Sequence, residues 1–181
     1  MRISPKDTLA LIIDIQEKLV PVMEEKETFI HNSVILLKGL NTLEIPMLIT
    51  QQYSKGLGMT VEPIQTVIGD TFQYFDKVTF SCYDDEAIAE KIKSYHKKNI
   101  IICGIEAHIC VLQTVIDCIS EGYQVIVVED CISSRKRNDK EIAIQRMIQE
   151  GAIVTTYESI LFELTRKAGS EPFKVISKLI K

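Results

Sequence analysis

The sequence predicts a single doubly wound (Rossmann-like) α/β domain over residues 1–181, a parallel sheet flanked by helices on both faces. Three observations carry that expectation. Apolar runs of strand length alternate with stretches of helical periodicity along most of the chain. The runs are apolar at consecutive positions, the pattern of strands buried on both faces. Finally, 181 residues with 46% hydrophobic side chains suffice for one core without disulfides or metals.

The strand candidates are "TLALIID" (8–14), "PMLIT" (46–50), "NIIICGI" (99–105), "YQVIVVED" (123–130) and "AIVTT" (152–156). Between them "NSVILLKGLNTL" (32–43), "DDEAIAEKIKSYHKK" (84–98), "ICVLQTVIDCISEG" (109–122) and "DKEIAIQRMIQEG" (139–151) place apolar residues three and four apart, as amphipathic helices do. Gly122 and Gly151 fit helix C-termini, and the acidic "DDE" at 84–86 suits a helix start, where the macrodipole favours negative charge. Residues 52–71 carry glycines and a proline with little periodicity and read as a long loop able to shape a pocket.

A net charge of −4 gives no general attraction to phosphate backbones or anionic lipid, so neither nucleic acid nor membrane is expected as a partner. The basic "SRKR" at 134–137 runs directly into "NDKE" and reads as a solvated face. The N-terminal apolar run is of strand length and ends at Asp14, so neither a signal peptide nor a membrane span is expected. Five cysteines, an odd number without a CxxC, suit a reducing cytoplasm. Cys103 and Cys118 read as core residues, whereas Cys82 and Cys131 fall near element ends and are expected to be partly exposed.

In a doubly wound sheet, ligands bind beyond the carboxyl ends of the strands, where the strand order reverses. Asp14 closes the first apolar run, Cys110 follows the "NIIICG" run, and Lys77 follows a short aromatic stretch in "QYFDKVTFS". A thiol near pKa 8.5 is a poor nucleophile until a base, a cation or a helix start activates it, and Asp14, Lys77 and the turn before Cys110 offer those parts. On residue type alone, Cys110 also fits a packed small hydrophobe and Asp14 a turn residue.

The segments "ALIIDIQEKL", "DKVTFS" and "IICGIEAHICVLQT", in that order, resemble the isochorismatase-like cysteine hydrolases, which include nicotinamidases and N-carbamoylsarcosine amidases. The C-terminal stretch "VEDCISSRKRNDKEIAIQRMIQEGAIVTTYESILFEL" is similar to the same family. The resemblance implies a six-stranded parallel sheet, with a third strand before Lys77. It also implies that Cys110 is the nucleophile, Asp14 the general base and acid, and Lys77 the cation that stabilises their charged states. It implies a cis peptide between Ile105 and Glu106, an oxyanion hole from the N–H groups of Glu106 and Cys110, and a homo-oligomer, a dimer or higher.

Where nicotinamidases carry an aspartate and two histidines for a metal, this sequence reads "LITQQYSKGLGMT", so no metal site and no cofactor are expected and nicotinamide is disfavoured. "QQYSKGLG" and "FELTRKAGS" are similar to the branch known as isochorismatase-domain-containing proteins. Gln51, Tyr53, Leu57, Phe80 and His108 are candidates for the substrate pocket; His108 stands two residues before Cys110, a poor spacing for a Cys–His pair. The reading is a metal-independent hydrolase of a small molecule's amide or carbamoyl C–N bond. Its alternatives are a non-catalytic binding or scaffold protein, a thiol sensor and an isochorismatase-type ether hydrolase; family members that cleave a vinyl ether lack this cysteine.

Overall fold

A computed structural model describes residues 2–69 and 72–181. Six strands form one sheet in the order β3-β2-β1-β4-β5-β6: β1 (Thr8–Ile13), β2 (Met47–Gln52), β3 (Tyr74–Lys77), β4 (Asn99–Ile105), β5 (Gln124–Ser133) and β6 (Ile153–Thr155). Every pairing is parallel. The order runs outward in both directions from the β1–β4 junction, which is therefore the switch point. All residues of these two strands are buried, so a continuous apolar run is what both faces demand.

Among the described residues the α-helices are α1 (Lys26–Thr42), α2 (Ser54–Leu57), α3 (Glu62–Ile68), α4 (Glu86–Ser94), α5 (Leu112–Ser120), α6 (Arg137–Gln149), α7 (Tyr157–Thr165) and α8 (Glu171–Leu179). Strand alternation divides the core in two. Ala10, Ile12, Ile101, Cys103 and Ile126 pack with Leu36 and Leu40 of α1, Ile64 of α3, Leu161 of α7 and Ile176 of α8. On the opposite face Leu9, Leu11, Ile102 and Val127 meet Ile88 and Ile92 of α4, Val115 of α5 and Met147 of α6.

Several boundaries differ from the sequence expectation. Residues 52–71 are not a plain loop: β2 reaches Gln52, and α2 and α3 follow, too short to show a full apolar stripe. Asp70 and Thr71, the end of that stretch, lie outside the described residues. α1 starts six residues earlier than its apolar pattern, because its first turn is polar and opens after Glu25, in the left-handed region at φ 50°. β5 continues to Ser133, which buries Cys131; Cys82 is fully buried as well, so neither thiol is exposed. Among the described residues no helix is long and apolar enough to cross a membrane.

Candidate active site

Asp14 is the first residue beyond β1, at φ 53° and fully buried. Aspartate enters the left-handed region more readily than most side chains, so the chain can turn sharply here while keeping a carboxylate at the strand end. The turn is tied by the Asp14 N–H donating to the Thr50 carbonyl (3.2 Å) and the Gln16 N–H donating to the Asp14 carbonyl (2.8 Å).

Lys77 ends β3 and is one of the largest fully buried side chains among the described residues. Its Nζ donates to Asp14 Oδ2 and to Gln52 Oε1, both at 2.8 Å, and to the carbonyls of Thr79 and Phe80 at 3.1 Å. Burial works against the ammonium, but the Asp14 carboxylate, joined by Cys82 and Cys110 where these are ionised, more than offsets it and raises Lys77 above its ordinary value. The other carboxylate oxygen, Oδ1, accepts from Thr50 Oγ1 at 2.8 Å.

Cys110 reaches the same carboxylate from β4. Gly104 lies at φ 130°, where a Cβ would collide with the Ile13 carbonyl, so glycine lets the end of β4 close on the end of β1. The Ile105–Glu106 peptide is cis, and a π-helical turn, Ala107–Val111, leads into α5. Cys110 is 6% exposed, and its thiol lies within the electrostatic reach of the Asp14 carboxylate and the Lys77 ammonium. Burial and the Asp14 charge push the thiol well up, with Lys77 opposing, so the resting group is a thiol beside a carboxylate rather than a free thiolate. In the first turn of a helical segment, N–H groups lack intrahelical acceptors and can face an anion.

Cys82 borders the cluster. Its Sγ is 3.8 Å from Thr50 Oγ1, its N–H donates to Thr114 Oγ1 at 2.9 Å, and burial with the Asp14 charge pushes the thiol up to about 11. Residue type marked neither Thr50, Gln52 nor Cys82. The usable signal was register: Thr50 pairs with Ile13, the residue before Asp14, and Gln52 lies two positions further on the same strand face.

The remaining candidates scatter. Gln51 is buried and donates to Thr60 Oγ1 (2.9 Å); strand alternation turns it away from Thr50 and Gln52, onto the opposite sheet face. Leu57 is half-buried in α2, its carbonyl taken by the Lys18 N–H. Tyr53 and Phe80 reach the cluster through backbone: the Tyr53 N–H donates to the Lys77 carbonyl, and the Phe80 carbonyl accepts from Lys77 Nζ, while both rings are about half exposed at the rim. His108 turns to β5, with Nδ1 2.9 Å from Ser134 Oγ and Nε2 4.0 Å from Asp139. The Glu106 carboxylate, 6% exposed, is held by two bonds from Arg135, at 2.9 and 2.7 Å.

Among the described residues no three His, Cys, Asp or Glu side chains converge as metal ligands. A cavity of about 270 Å³ opens beside Ser133 and Ser134, lined by Glu24, Asn32, Asp130, Arg137 and Lys140; Asp14, Lys77 and Cys110 are not in its wall.

Residues 8–159 match the isochorismatase domain model. Isochorismatase family protein 1B of Dictyostelium discoideum is 38% identical over 184 residues, covering 99% of this chain and 89% of that one. The structure of MAR1 ribonuclease from Caenorhabditis elegans superposes with a TM-score of 0.93 at 36% identity, covering 99% of this chain and 92% of that one. The YcaC gene product of Escherichia coli, described as an octameric hydrolase of unknown specificity, gives a TM-score of 0.93 at 24% identity over 99% and 90%, a likeness of fold.

Proposed function

The chain belongs to the isochorismatase family of hydrolases, and from that premise we propose that it is a metal-independent cysteine hydrolase cleaving the amide or carbamoyl C–N bond of a small molecule. The observation that carries the reading is one buried carboxylate with two neighbours: Asp14 is gripped by the Lys77 ammonium at 2.8 Å and its charge acts on the Cys110 thiol, at the switch point of the sheet.

Asp14 takes the thiol proton as Cys110 Sγ bonds to the substrate carbonyl carbon. The oxyanion is met by the N–H groups of Glu106 and Cys110. As the C–N bond breaks, Asp14 returns the proton to the leaving amine; water then attacks the thioester, gives up a proton through the same carboxylate and releases the acid and the thiol. Lys77 pairs with the Asp14 carboxylate between these transfers. Every step uses groups of the chain itself, and the end of β2 with the stretch after it offers amides and hydroxyls where a metal would want acids and imidazoles. A carboxylate poised on a thiol favours acyl transfer over ether hydrolysis or a purely scaffolding role.

The name of the Caenorhabditis elegans relative raises RNA as a substrate, but this chain carries net −4, and three cations of the 135–140 stretch are paired with acids: Arg135 with Glu106, Arg137 with Glu141 and Lys140 with Glu129. Tyr53, Val78 and Phe80 expose apolar surface near the site, which, with the octamer named for the Escherichia coli relative, supports a homo-oligomer. Five unpaired thiols suit the cytoplasm.

The test is acyl-enzyme trapping. Wild-type protein mixed with p-nitrophenyl acetate should gain one acetyl group on Cys110 by peptide mass spectrometry and turn over members of a primary-amide and N-carbamoyl panel. Cys110→Ala should do neither while keeping its thermal unfolding profile. A fully active Cys110→Ala protein sinks the reading.

A further inference from the structure

We infer that Gln52 is a positioning residue for the Asp14–Lys77 pair and that Gln16 is the clamp that sets it, an assignment that rests on the cysteine-hydrolase reading above. Lys77 Nζ has three protons and, being buried, must bond each to protein. Two of its four acceptors are carbonyls of its own loop, Thr79 and Phe80, at 3.1 Å; the two closer ones, at 2.8 Å, are the side chains of Asp14 and Gln52. Gln52 is thus the neutral arm that aims the ammonium at the carboxylate.

The orientation of that amide follows from its neighbours. Nε2 donates to the Val78 carbonyl at 3.0 Å, which leaves Oε1 for the ammonium. The Gln52 backbone is held at both polar atoms by one side chain: its N–H donates to Gln16 Oε1 at 2.7 Å, and its carbonyl accepts from Gln16 Nε2 at 3.0 Å. Gln16 is fully buried two residues past Asp14, and its Nε2 also donates to the Gly58 carbonyl at 2.8 Å, so no polar atom of the clamp is idle. A single turn after β1 therefore carries the carboxylate and, two residues on, the clamp that fixes its cation's second partner.

Neutrality is what this position supplies. An amide oxygen satisfies the ammonium without taking a share of its charge from Asp14, whereas a carboxylate there would divide it. The loss should show in the protonation behaviour of the site and not only in stability.

Alkylation of Cys110 by iodoacetamide, read by peptide mass spectrometry across about pH 5 to 9, tests this without a substrate, because the thiol proton must leave through Asp14. Gln52→Met removes the acceptor at similar volume and should slow the plateau rate about tenfold, the scale of one hydrogen bond to a charge. Gln52→Glu keeps the acceptor but divides the charge, and should move the acid limb of the profile up by about one pH unit. Wild-type rate and profile in both variants, or a slower rate that tracks a lower Tm with the acid limb of Gln52→Glu unmoved, would overturn the positioning role. Wild-type protein unlabelled at Cys110 across the whole range overturns the cysteine-hydrolase reading itself, a failure seen without any variant and so separable from the first.

Discussion

The two halves of the sheet's carboxyl edge bring their groups to the same point by different means. The β1–β2–β3 half contributes side chains: buried Asp14, Thr50 and Lys77 and half-buried Gln52 form a net whose three side-chain bonds are each 2.8 Å. The β4–β5 half contributes backbone: Gly104 closes on Ile13, and a π-helical turn delivers Cys110, while its other polar side chains, Glu106 and His108, bind outward to Arg135 and Ser134. Charge on one side and shape on the other means that the halves should fail differently when broken.

The largest effect should come from the charged half. Lys77→Met leaves the buried Asp14 carboxyl without its cation, and breaking such a pair costs about 3–5 kcal/mol. Urea unfolding should show that loss, and Asp14→Asn/Lys77→Met should recover much of it, because the double variant leaves no bare charge. A double variant no more stable than Lys77→Met would mean that the pair contributes shape rather than charge.

The backbone half should break at Gly104. Alanine there would have to hold φ 130° and push against the Ile13 carbonyl, a loss of about 1–3 kcal/mol by the usual scale of backbone strain. The comparison is sharpened by labelling: Gly104→Ala should slow Cys110 alkylation through displacement and leave its pH profile in place, where Lys77→Met should alter the profile. Identical profile changes in both would erase the distinction between the halves.

This asymmetry also explains what was legible in the sequence. Consecutive isoleucines in β4 announce a strand buried on both faces, and the doubly wound rule then points at strand ends, where Asp14 and Cys110 stand. β3 has only four residues, mostly exposed or half-buried, so no apolar run marks it, and Lys77 acquired meaning through resemblance. Thr50, Gln16 and Gln52 are uncharged residues whose importance lies in what they bond across |i−j| of 25 to 36, and no local period records that. Cys82 and Cys131 looked terminal because burial by a neighbouring element leaves no trace at the position buried. Gln51 misleads for the opposite reason: it adjoins Thr50 and Gln52 in sequence, and strand alternation puts it on the other face.

A smaller effect concerns alkaline pH. Burial lifts Cys82 from an ordinary 9.0 to about 11, so between those values the unfolded chain releases a proton that the folded chain keeps. The stabilisation is whole below about pH 9 and is lost as pH rises, at about 1 kcal/mol per pH unit for such a thiol. Lys77, raised from 10.5, adds a loss of the same sign at higher pH. Urea unfolding in reductant at increasing pH should show the decline, steepened by the other buried thiols, Cys103, Cys110, Cys118 and Cys131, which are raised too, and Cys82→Ala should reduce the slope by one thiol's share; a slope unchanged in Cys82→Ala would assign the decline to the other groups.

The smallest effect tests whether the outward side chains of the β4–β5 half matter to its shape. Arg135 is exposed but its partner Glu106 is buried next to the Cys110 turn, so Arg135→Ala strands a carboxylate that lacks water, at a cost of about 1 kcal/mol. Arg137, in contact with exposed Glu141, is the control, and Arg137→Ala should leave the unfolding curve where it is. The same pair of variants reads out function: a stranded negative charge next to the Glu106 N–H opposes an oxyanion, so Arg135→Ala should lower kcat for the acyl panel while KM and the acid limb hold. If Arg135→Ala and Arg137→Ala behave alike, the turn before Cys110 keeps its form through Gly104 and the backbone alone.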